Sequence, residues 1–380
     1  MSGSLLIVAG EKSGENYGAA VVRRFKETHP EWNFFGIGGK KMAAEGVDLL
    51  FPIDDLAVVG VFEILTQLPR IGRMFRRIQT ETKLRRPAAA VLIDSPDFNL
   101  RLAGRLKKMG VPVLYYISPT VWAWRAGRLK TIKRTVRKMC FIFPFEEAIY
   151  ETARVPARFV GHPLLERTKP AFGREEFFKR YGLDPEKKLV TVLPGSRRSE
   201  IRFHLPVLIE ALKKIGAEVP AQFALVRAED LDADYLRGFV PPDAPPLTIL
   251  SRDAYEAMAA ADVVLSACGT ANLEAALLEA PLVAFYRISP LTYLTGARFV
   301  KIKDFSIVNI LAGERIIPEL IQRNFTPENV LAEVKRILGS ERVRADMKAR
   351  FRRIKAELGN EPAARNVAAE LEKIVFTTGR

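Results

Sequence analysis

The residues best equipped for chemistry fall into three groups. In Leu265-Ser-Ala-Cys-Gly-Thr-Ala-Asn-Leu-Glu274 an apolar run gives way to small residues and Gly269-Thr270, and Glu274 follows about one helical turn later. Small residues let a ligand touch the backbone, and the helix that follows offers unpaired N–H groups and a partial positive charge. A carboxylate one turn inside can accept hydrogen bonds from the two hydroxyls of a ribose. Gly195-Ser196-Arg197, at the end of the apolar run Leu189–Leu193, adds backbone donors and a guanidinium for phosphate. Arg287 closes the stretch that begins at Leu265. Together these residues suit a nucleoside diphosphate, although an ordinary strand–helix unit with Glu274 in solvent fits the first motif equally well. The second group is Asp94-Ser-Pro-Asp97, which follows the buried-strand pattern Ala88–Ile93. Asp94 stands where a general base would. Asp and Ser ahead of a proline also suit a helix cap. The third group is Ser118-Pro-Thr-Val-Trp122-Ala-Trp124-Arg125, continued by Arg128, Lys130, Lys133, Arg134, Arg137 and Lys138. Indoles and guanidinium groups can flank a sugar or fix phosphates, and they can equally form a nucleic-acid surface.

The elements that must position these groups repeat one theme. Strand Ser4–Ala9 runs into Gly10, Gly14 and Gly18, spaced four apart, and a helix to about Lys26. This is neither G-x-G-x-x-G nor a Walker A motif. Strands are expected at 33–37, 88–93, 113–117, 140–143 and 159–160, with a helix to Met109. After a linker at about 164–188 the theme returns. Strand Leu189–Leu193 leads to a helix from about Leu205 to Ile215, then strands at 222–226, 248–250, 262–265 and 282–285, with Pro281 ending the helix before the last. The fold class is α/β, with two Rossmann-like domains at 1–165 and 186–349 and ligands expected beyond the carboxyl ends of the strands. Glu328–Thr377 reads as amphipathic helix throughout.

Composition excludes several classes. The 380 residues are 48% apolar, yet no apolar run approaches the ~20 residues that cross a bilayer. The run at Leu5–Ala9 lacks the basic flank of a signal peptide. Cys140 and Cys268 lie far apart, and His29, His162 and His204 are scattered, which argues for a reducing compartment and against structural zinc. Asp230-Leu-Asp-Ala-Asp234 reads as the polar start of a helix rather than a metal pair. With Lys plus Arg at 59 and Asp plus Glu at 44, the net charge of +15 favours anionic partners. Leu56–Leu68 is almost continuously apolar, is broken by Pro69 and is followed by seven basic residues from Arg70 to Arg86. Too short to cross a membrane, it fits either a segment in an anionic bilayer interface or a buried helix.

A nucleotide-activated donor in the second half and an acceptor with its base in the first make a glycosyl-transfer layout. At this level the chain resembles the lipid-A-disaccharide synthases, bacterial glycosyltransferases of family 19 with the GT-B fold. The resemblance is carried by Val8-Ala-Gly-Glu-Lys-Ser-Gly14, Ile93-Asp-Ser-Pro-Asp-Phe-Asn99, Tyr116-Ile-Ser-Pro-Thr-Val-Trp-Ala-Trp-Arg125, Phe159-Val-Gly-His-Pro163, Leu193-Pro-Gly-Ser-Arg197, Gly269-Thr270 with Glu274, and Asn309-Ile-Leu-Ala-Gly313. It implies an inverting, metal-independent reaction that needs no cofactor. UDP-2,3-diacylglucosamine and 2,3-diacylglucosamine 1-phosphate give the disaccharide 1-phosphate and UDP. It implies Asp94 as base, Arg197 as phosphate ligand and Asn309 as a residue needed for activity. Ser13, Gly14, Gly195, Ser196, Gly269, Thr270, Glu274 and Arg287 fall on the donor side, and Trp122, Trp124 and Arg125 on the acceptor side. It further implies a protein peripheral on the inner face of the cytoplasmic membrane, with Val58, Val61, Phe62, Ile64, Leu65 and Leu68 facing lipid, and final helices from about residue 350 returning to the first domain. Glu15 stands where the family's first turn usually has Asp. Two other functions remain to be weighed, a UDP-N-acetylglucosamine 2-epimerase on the same fold and a nucleic-acid-binding module. Nothing in the sequence sets the oligomeric state.

Overall fold

The computed structural model describes residues 3–55, 61–123, 126–289 and 304–377. The side chains of Lys12 and residues 61–68 lie outside that description, as does Val58. The chain divides into two compact units, residues 1–163 with 358–380, and residues 164–357.

In the first unit, β1 (Ser4–Ala9), β2 (Asn33–Gly38), β3 (Val47–Pro52), β4 (Ala89–Ile93), β5 (Val113–Tyr116), β6 (Lys138–Phe141) and β7 (Ala157–Phe159) alternate with helices α1 (Lys12–Thr28), α2 (Lys40–Ala44), α3 (Val61–Arg85), α4 (Pro96–Lys108), α5 (Arg128–Thr135) and α6 (Glu146–Thr152). The strands form one parallel sheet in the order β3-β2-β1-β4-β5-β6-β7. Strand residues alternate between faces, so Leu5, Ile7 and Ala9 feed one apolar layer and Leu6 and Val8 the other. With both layers buried, the strands read as unbroken apolar runs.

The second unit holds α7 (Leu164–Arg167), α8 (Arg174–Tyr181), β8 (Lys188–Leu193), α9 (Arg198–Glu218), β9 (Ala221–Val226), α10 (Ala233–Arg237), β10 (Leu247–Leu250), α11 (Ala254–Ala260), β11 (Val263–Ala267), α12 (Thr270–Leu277), β12 (Leu282–Tyr286), α13 (Ile307–Ala312), β13 (Glu319–Ile321), α14 (Pro327–Leu338) and α15 (Glu341–Glu357). Its sheet is parallel in the order β10-β9-β8-β11-β12-β13. The last helix, α16 (Ala363–Thr377), belongs to the first unit, where Ala364, Val367, Leu371 and Ile374 join the apolar layer that contains α1. Glu370 on the same helix accepts from Arg158 at 2.6 Å and Lys373 at 2.6 Å.

The structure differs from the sequence-based expectation at two prolines. Pro69 does not break its segment: α3 runs through it. Pro206 likewise lies inside α9, which starts at Arg198 rather than near Leu205. A proline removes one backbone donor and crowds the carbonyl four residues back, at ~3 kcal/mol. A long helix anchored on both sides can absorb that cost. The C-terminal stretch is three helices rather than one, separated at Gly339-Ser340 and at 358–362.

Both sheets reverse strand order once, between β1 and β4 and between β8 and β11. In open α/β sheets the crevice beyond such a reversal is where ligands bind. Asp94 follows β4, Gly195-Ser196-Arg197 follows β8, and Gly269-Thr270 follows β11.

Candidate active site

Beyond the β8/β11 reversal lies a cavity of about 720 Å³, entirely within the second unit. It brings together Gly195, Ser196, Arg197, Gly269, Thr270 and Glu274. The first turn of α12 opens onto it from Gly269, with no side chain capping that helix. Helix N-terminal N–H groups left open in this way suit an anion. Glu274 is held by Tyr255, whose hydroxyl donates to Oε1 at 3.0 Å. Burial raises the Glu274 carboxyl above its ordinary range, opposed by Tyr255 and by Arg167. The Tyr255 hydroxyl is pushed up to about 12 by burial and by the Glu274 charge. Tyr255 had no signal in the sequence beyond lying on a helix before β11.

Around Arg197 the arrangement departs from the expected one. Sequence reasoning assigns the backbone donors of Gly195-Ser196-Arg197 to phosphate. In the structure the Ser196 and Arg197 N–H groups donate to Glu200 Oε2, at 2.9 and 3.2 Å. Glu200 is the third residue of α9 and forms a capping box with Arg197. Gly195 has φ +120°, and a Cβ there would lie 2.6 Å from Glu200 Oε2, so only glycine fits. The turn's side-chain contribution is the Arg197 guanidinium, 69% exposed and held by a single long contact of 3.5 Å to Glu200 Oε1.

Arg287 does not line the cavity. Its guanidinium donates to the carbonyls of Gln322 and Phe325 and lies 5.4 Å from the Phe325 ring centre. It braces the end of β12. His204, fully buried, joins that brace to the Gly195 turn. Its Nδ1 lies 2.7 Å from the Pro194 carbonyl, and the Arg287 N–H donates to Nε2 at 3.0 Å. Nε2 also lies 3.0 Å from the Arg287 carbonyl, so both ring nitrogens are engaged by backbone groups. Burial lowers the His204 pKa. In the sequence His204 is only one of three scattered histidines.

Asn309 is also fully buried. Its amide donates to the Ile317 carbonyl at 3.1 Å and to Glu319 at 2.8 Å. Its oxygen accepts from Ile316 and Ile317 at 2.9 and 3.0 Å. Two donors and two lone pairs are thus all engaged. Glu319 in turn accepts from the Phe305 and Ser306 N–H groups. The side chain organises the 305–319 segment and has no atom left over for a ligand.

In the first unit, Asp94 and Ser95 both adopt left-handed backbone, with φ of 52° and 44°. For non-glycine residues this is a strained arrangement that needs support. Support comes through the Asp94 carbonyl, which accepts from the Tyr115 hydroxyl at 2.7 Å and from Asn99 Nδ2 at 2.8 Å. Asn99 also donates to the Ile93 carbonyl at 3.0 Å. Gly10 makes the turn possible, because a Cβ there would sit 1.9 Å from Ser95 Cβ. The half-buried Asp94 carboxyl is pushed up to about 6, first by burial and then by the Glu11 charge, against a hydrogen bond from the Ser95 backbone. Ser13 and Gly14 lie in the first turn of α1, and Gly14 packs on Ile93. Glu15 accepts from the Lys41 N–H at 2.7 Å, so the longer arm caps α2.

Trp122 packs edge-on against Phe145, with ring centres 5.3 Å apart, and its buried Nε1 has no partner. Trp124 and Arg125 lie outside the described residues. Beneath this loop the Ser118 hydroxyl meets the Tyr150 hydroxyl at 2.5 Å, and Glu146 is 1% exposed with its carboxyl pushed up to about 7 by burial. Nothing in the sequence marks Glu146, which reads as one of two acids opening a helix. Among the described residues no group of three His, Cys, Asp or Glu could hold a metal, and Asp232 caps α10. Among the same residues, no helix is long and apolar enough to cross a membrane.

The fold is GT-B. It matches CalG4, the calicheamicin glycosyltransferase, with a TM-score of 0.65 over 100% of both chains at 14% identity. It also matches the UDP-GlcNAc 2-epimerase from Neisseria meningitidis, with a TM-score of 0.64 over 99% of this chain and 100% of that one at 9% identity. Such distant likenesses speak for architecture alone. Sequence similarity reaches further: the lipid-A-disaccharide synthase of Koribacter versatilis (strain Ellin345) is 43% identical over 371 residues, 96% of each chain. The family model described as lipid-A-disaccharide synthetase matches residues 5–375, and the chain belongs to that family.

Proposed function

We propose that this chain joins UDP-2,3-diacylglucosamine to 2,3-diacylglucosamine 1-phosphate, forming the β-1′,6-linked lipid A disaccharide 1-phosphate and UDP. Family membership over residues 5–375 is the observation that carries this reading. The geometry of the two strand-order reversals supports it. Asp94, ionised at neutral pH yet raised towards 6, accepts the proton of the acceptor 6-hydroxyl. The hydroxyl oxygen attacks the anomeric carbon of the donor. The bond from that carbon to the β-phosphate oxygen breaks, and UDP leaves with the electron pair, inverting the centre. The Arg197 guanidinium and the open first turn of α12 meet the charge that develops on the diphosphate. Glu274, steadied by Tyr255, takes the ribose hydroxyls. Asn309, Arg287 and His204 hold these groups in place. Trp122, Trp124 and Arg125 attend the acceptor. The two units act as donor-binding (186–349) and acceptor-binding (1–165) halves, and no metal or cofactor takes part. The chain works at the inner face of the cytoplasmic membrane, with Val58 and the first turns of α3 in the interface.

The test is UDP release from a UDP-2,3-diacylglucosamine donor in detergent micelles with EDTA, with and without the acceptor. Release that needs acceptor and survives EDTA is expected. Release without acceptor would point instead to donor hydrolysis or to chemistry on the donor sugar, and no release would remove the transferase reading.

A further inference from the structure

Between α4 and α5 of the first unit runs a groove of about 870 Å³. Six cations line it: Arg101, Arg105, Lys107, Lys108, Arg128 and Arg134. Asp97 is its only acid, and it is bound to Arg128 at 2.7 Å. Arg105 is turned away onto Gln79 and the Phe75 ring, and Lys107 onto the Arg134 carbonyl. Charge this far from balance draws anions. The groove is also open at its floor. A Cβ on Gly104 would meet nothing nearer than Thr135 Cγ2 at 3.9 Å.

Position gives the groove a use. Its upper end is formed by Pro96, Asp97, Arg101 and Arg128, immediately after the Asp94–Ser95 turn. An anion held there lies a few residues from the carboxylate that takes the acceptor proton. In the acceptor, one pyranose ring carries both the reacting 6-hydroxyl and the 1-phosphate, on the two carbons that flank its ring oxygen. The groove thus offers a phosphate position beside the turn that carries Asp94. The cations further down, Lys107, Lys108 and Arg134, extend the same field and steer an anionic ligand towards the upper end.

We propose that the upper end of the α4–α5 groove, through Arg101 and Arg128, binds the anomeric phosphate of the acceptor and sets the preference for a phosphorylated acceptor. This rests on the transferase reading above. Arg128, with a side chain 11% exposed, is oriented by Asp97 at the upper end of the groove, where its planar guanidinium suits a phosphate. Arg101 is exposed on α4 and supplies the second cation.

The experiment compares kcat/KM for the acceptor with and without its 1-phosphate, at saturating donor, for the wild type, Arg101→Gln, Arg128→Gln and Arg128→Lys. Wild type is expected to favour the phosphorylated acceptor. Each Gln variant should lose on the order of tenfold or more on that acceptor and little on the other, as loss of one charge-assisted hydrogen bond requires. Arg128→Lys should recover part of the preference. If both acceptors fall together, or if the preference survives both Gln variants, the proposal is wrong. The same variants are pelleted with vesicles containing anionic phospholipid. Lost vesicle binding with an unchanged acceptor preference would assign the charge to the membrane surface and overturn the proposal as well. A wild type that releases no UDP with either acceptor removes the transferase reading, and this inference falls with it. A wild type active equally on both removes the inference alone.

Discussion

Replacing Asp94 by Asn should move activity and stability in opposite directions, and the structure sets the size of both. The carboxyl is raised from an ordinary 3.8 to about 6, chiefly by burial. At 1.36 kcal/mol per pKa unit this is about 3 kcal/mol against the ionised form, reduced by partial exposure to about 1–2 kcal/mol. The native state holds this proton more tightly than the unfolded chain. Stability therefore falls as pH rises from about 4 to about 6, and the whole penalty is present above that. Asn carries no charge to bury. The variant should gain about 1–2 kcal/mol at pH 7.5 and almost nothing near pH 4. Urea unfolding followed by tryptophan fluorescence reads this directly, because Trp32, Trp122 and Trp124 all belong to the first unit. Over the same pH range, wild-type kcat/KM should rise to a plateau with an inflection near 6. The variant should lose at least ~100-fold on that plateau and show no such inflection. Near-normal turnover would remove Asp94 as base. An equal stability change at both pH values would refute the argument from burial.

Glu11→Gln removes the like charge beside Asp94, so the acid limb of the rate profile should shift to lower pH with the plateau kept; an unmoved limb would exclude the Glu11 contribution. Arg197→Ala should weaken UDP binding by calorimetry and lower turnover, and no change in either would end its phosphate role. His204→Ala leaves the Pro194 carbonyl and the Arg287 N–H unpaired in the interior, so chemical denaturation should show a loss of about 2–5 kcal/mol. Replacing Val58, Val61, Ile64 and Leu65 together by Ser should move the protein from the membrane to the soluble fraction with its circular dichroism intact; global unfolding would favour a core role for that segment.

The sequence made the β-strands legible because parallel strands covered on both faces leave long apolar runs, such as Leu5–Ala9 and Ala89–Ile93. It also placed Asp94, Arg197 and Thr270 just beyond strand ends and Glu274 one turn into the following helix, which needs only strand and helix boundaries. Prolines misled, since Pro69 and Pro206 were absorbed into helices long enough to carry the defect. Hydrogen-bond partners were least legible. Glu200 occupying the Ser196 and Arg197 donors, His204 tying β8 to β12, and Asn309 spending every atom on Ile316, Ile317 and Glu319 all depend on tertiary placement. One such feature recurs in both units. Asn99 donates to the carbonyls six and five residues before it, and Asn272 does the same to Ser266 and Ala267. Both are fully buried with the amide oxygen unpartnered, each fastening the end of a strand at a strand-order reversal. Aligning the two halves on their glycines could not have found this pair, because the shared signal is a distance from a strand end rather than a motif.

The return of α16 to the first unit has a consequence for how the chain is made. Residues 1–163 leave the ribosome first, but the apolar face that Val367, Leu371 and Ile374 cover stays open until the last turn of helix is synthesised. The second unit, contiguous in residues 164–357, is complete before the first one is. The first unit therefore finishes folding after the second, with the surface of α1, β4 and β5 that α16 covers left open throughout elongation. A chain cut after Glu357 would keep its second unit whole and leave the first with an uncovered core.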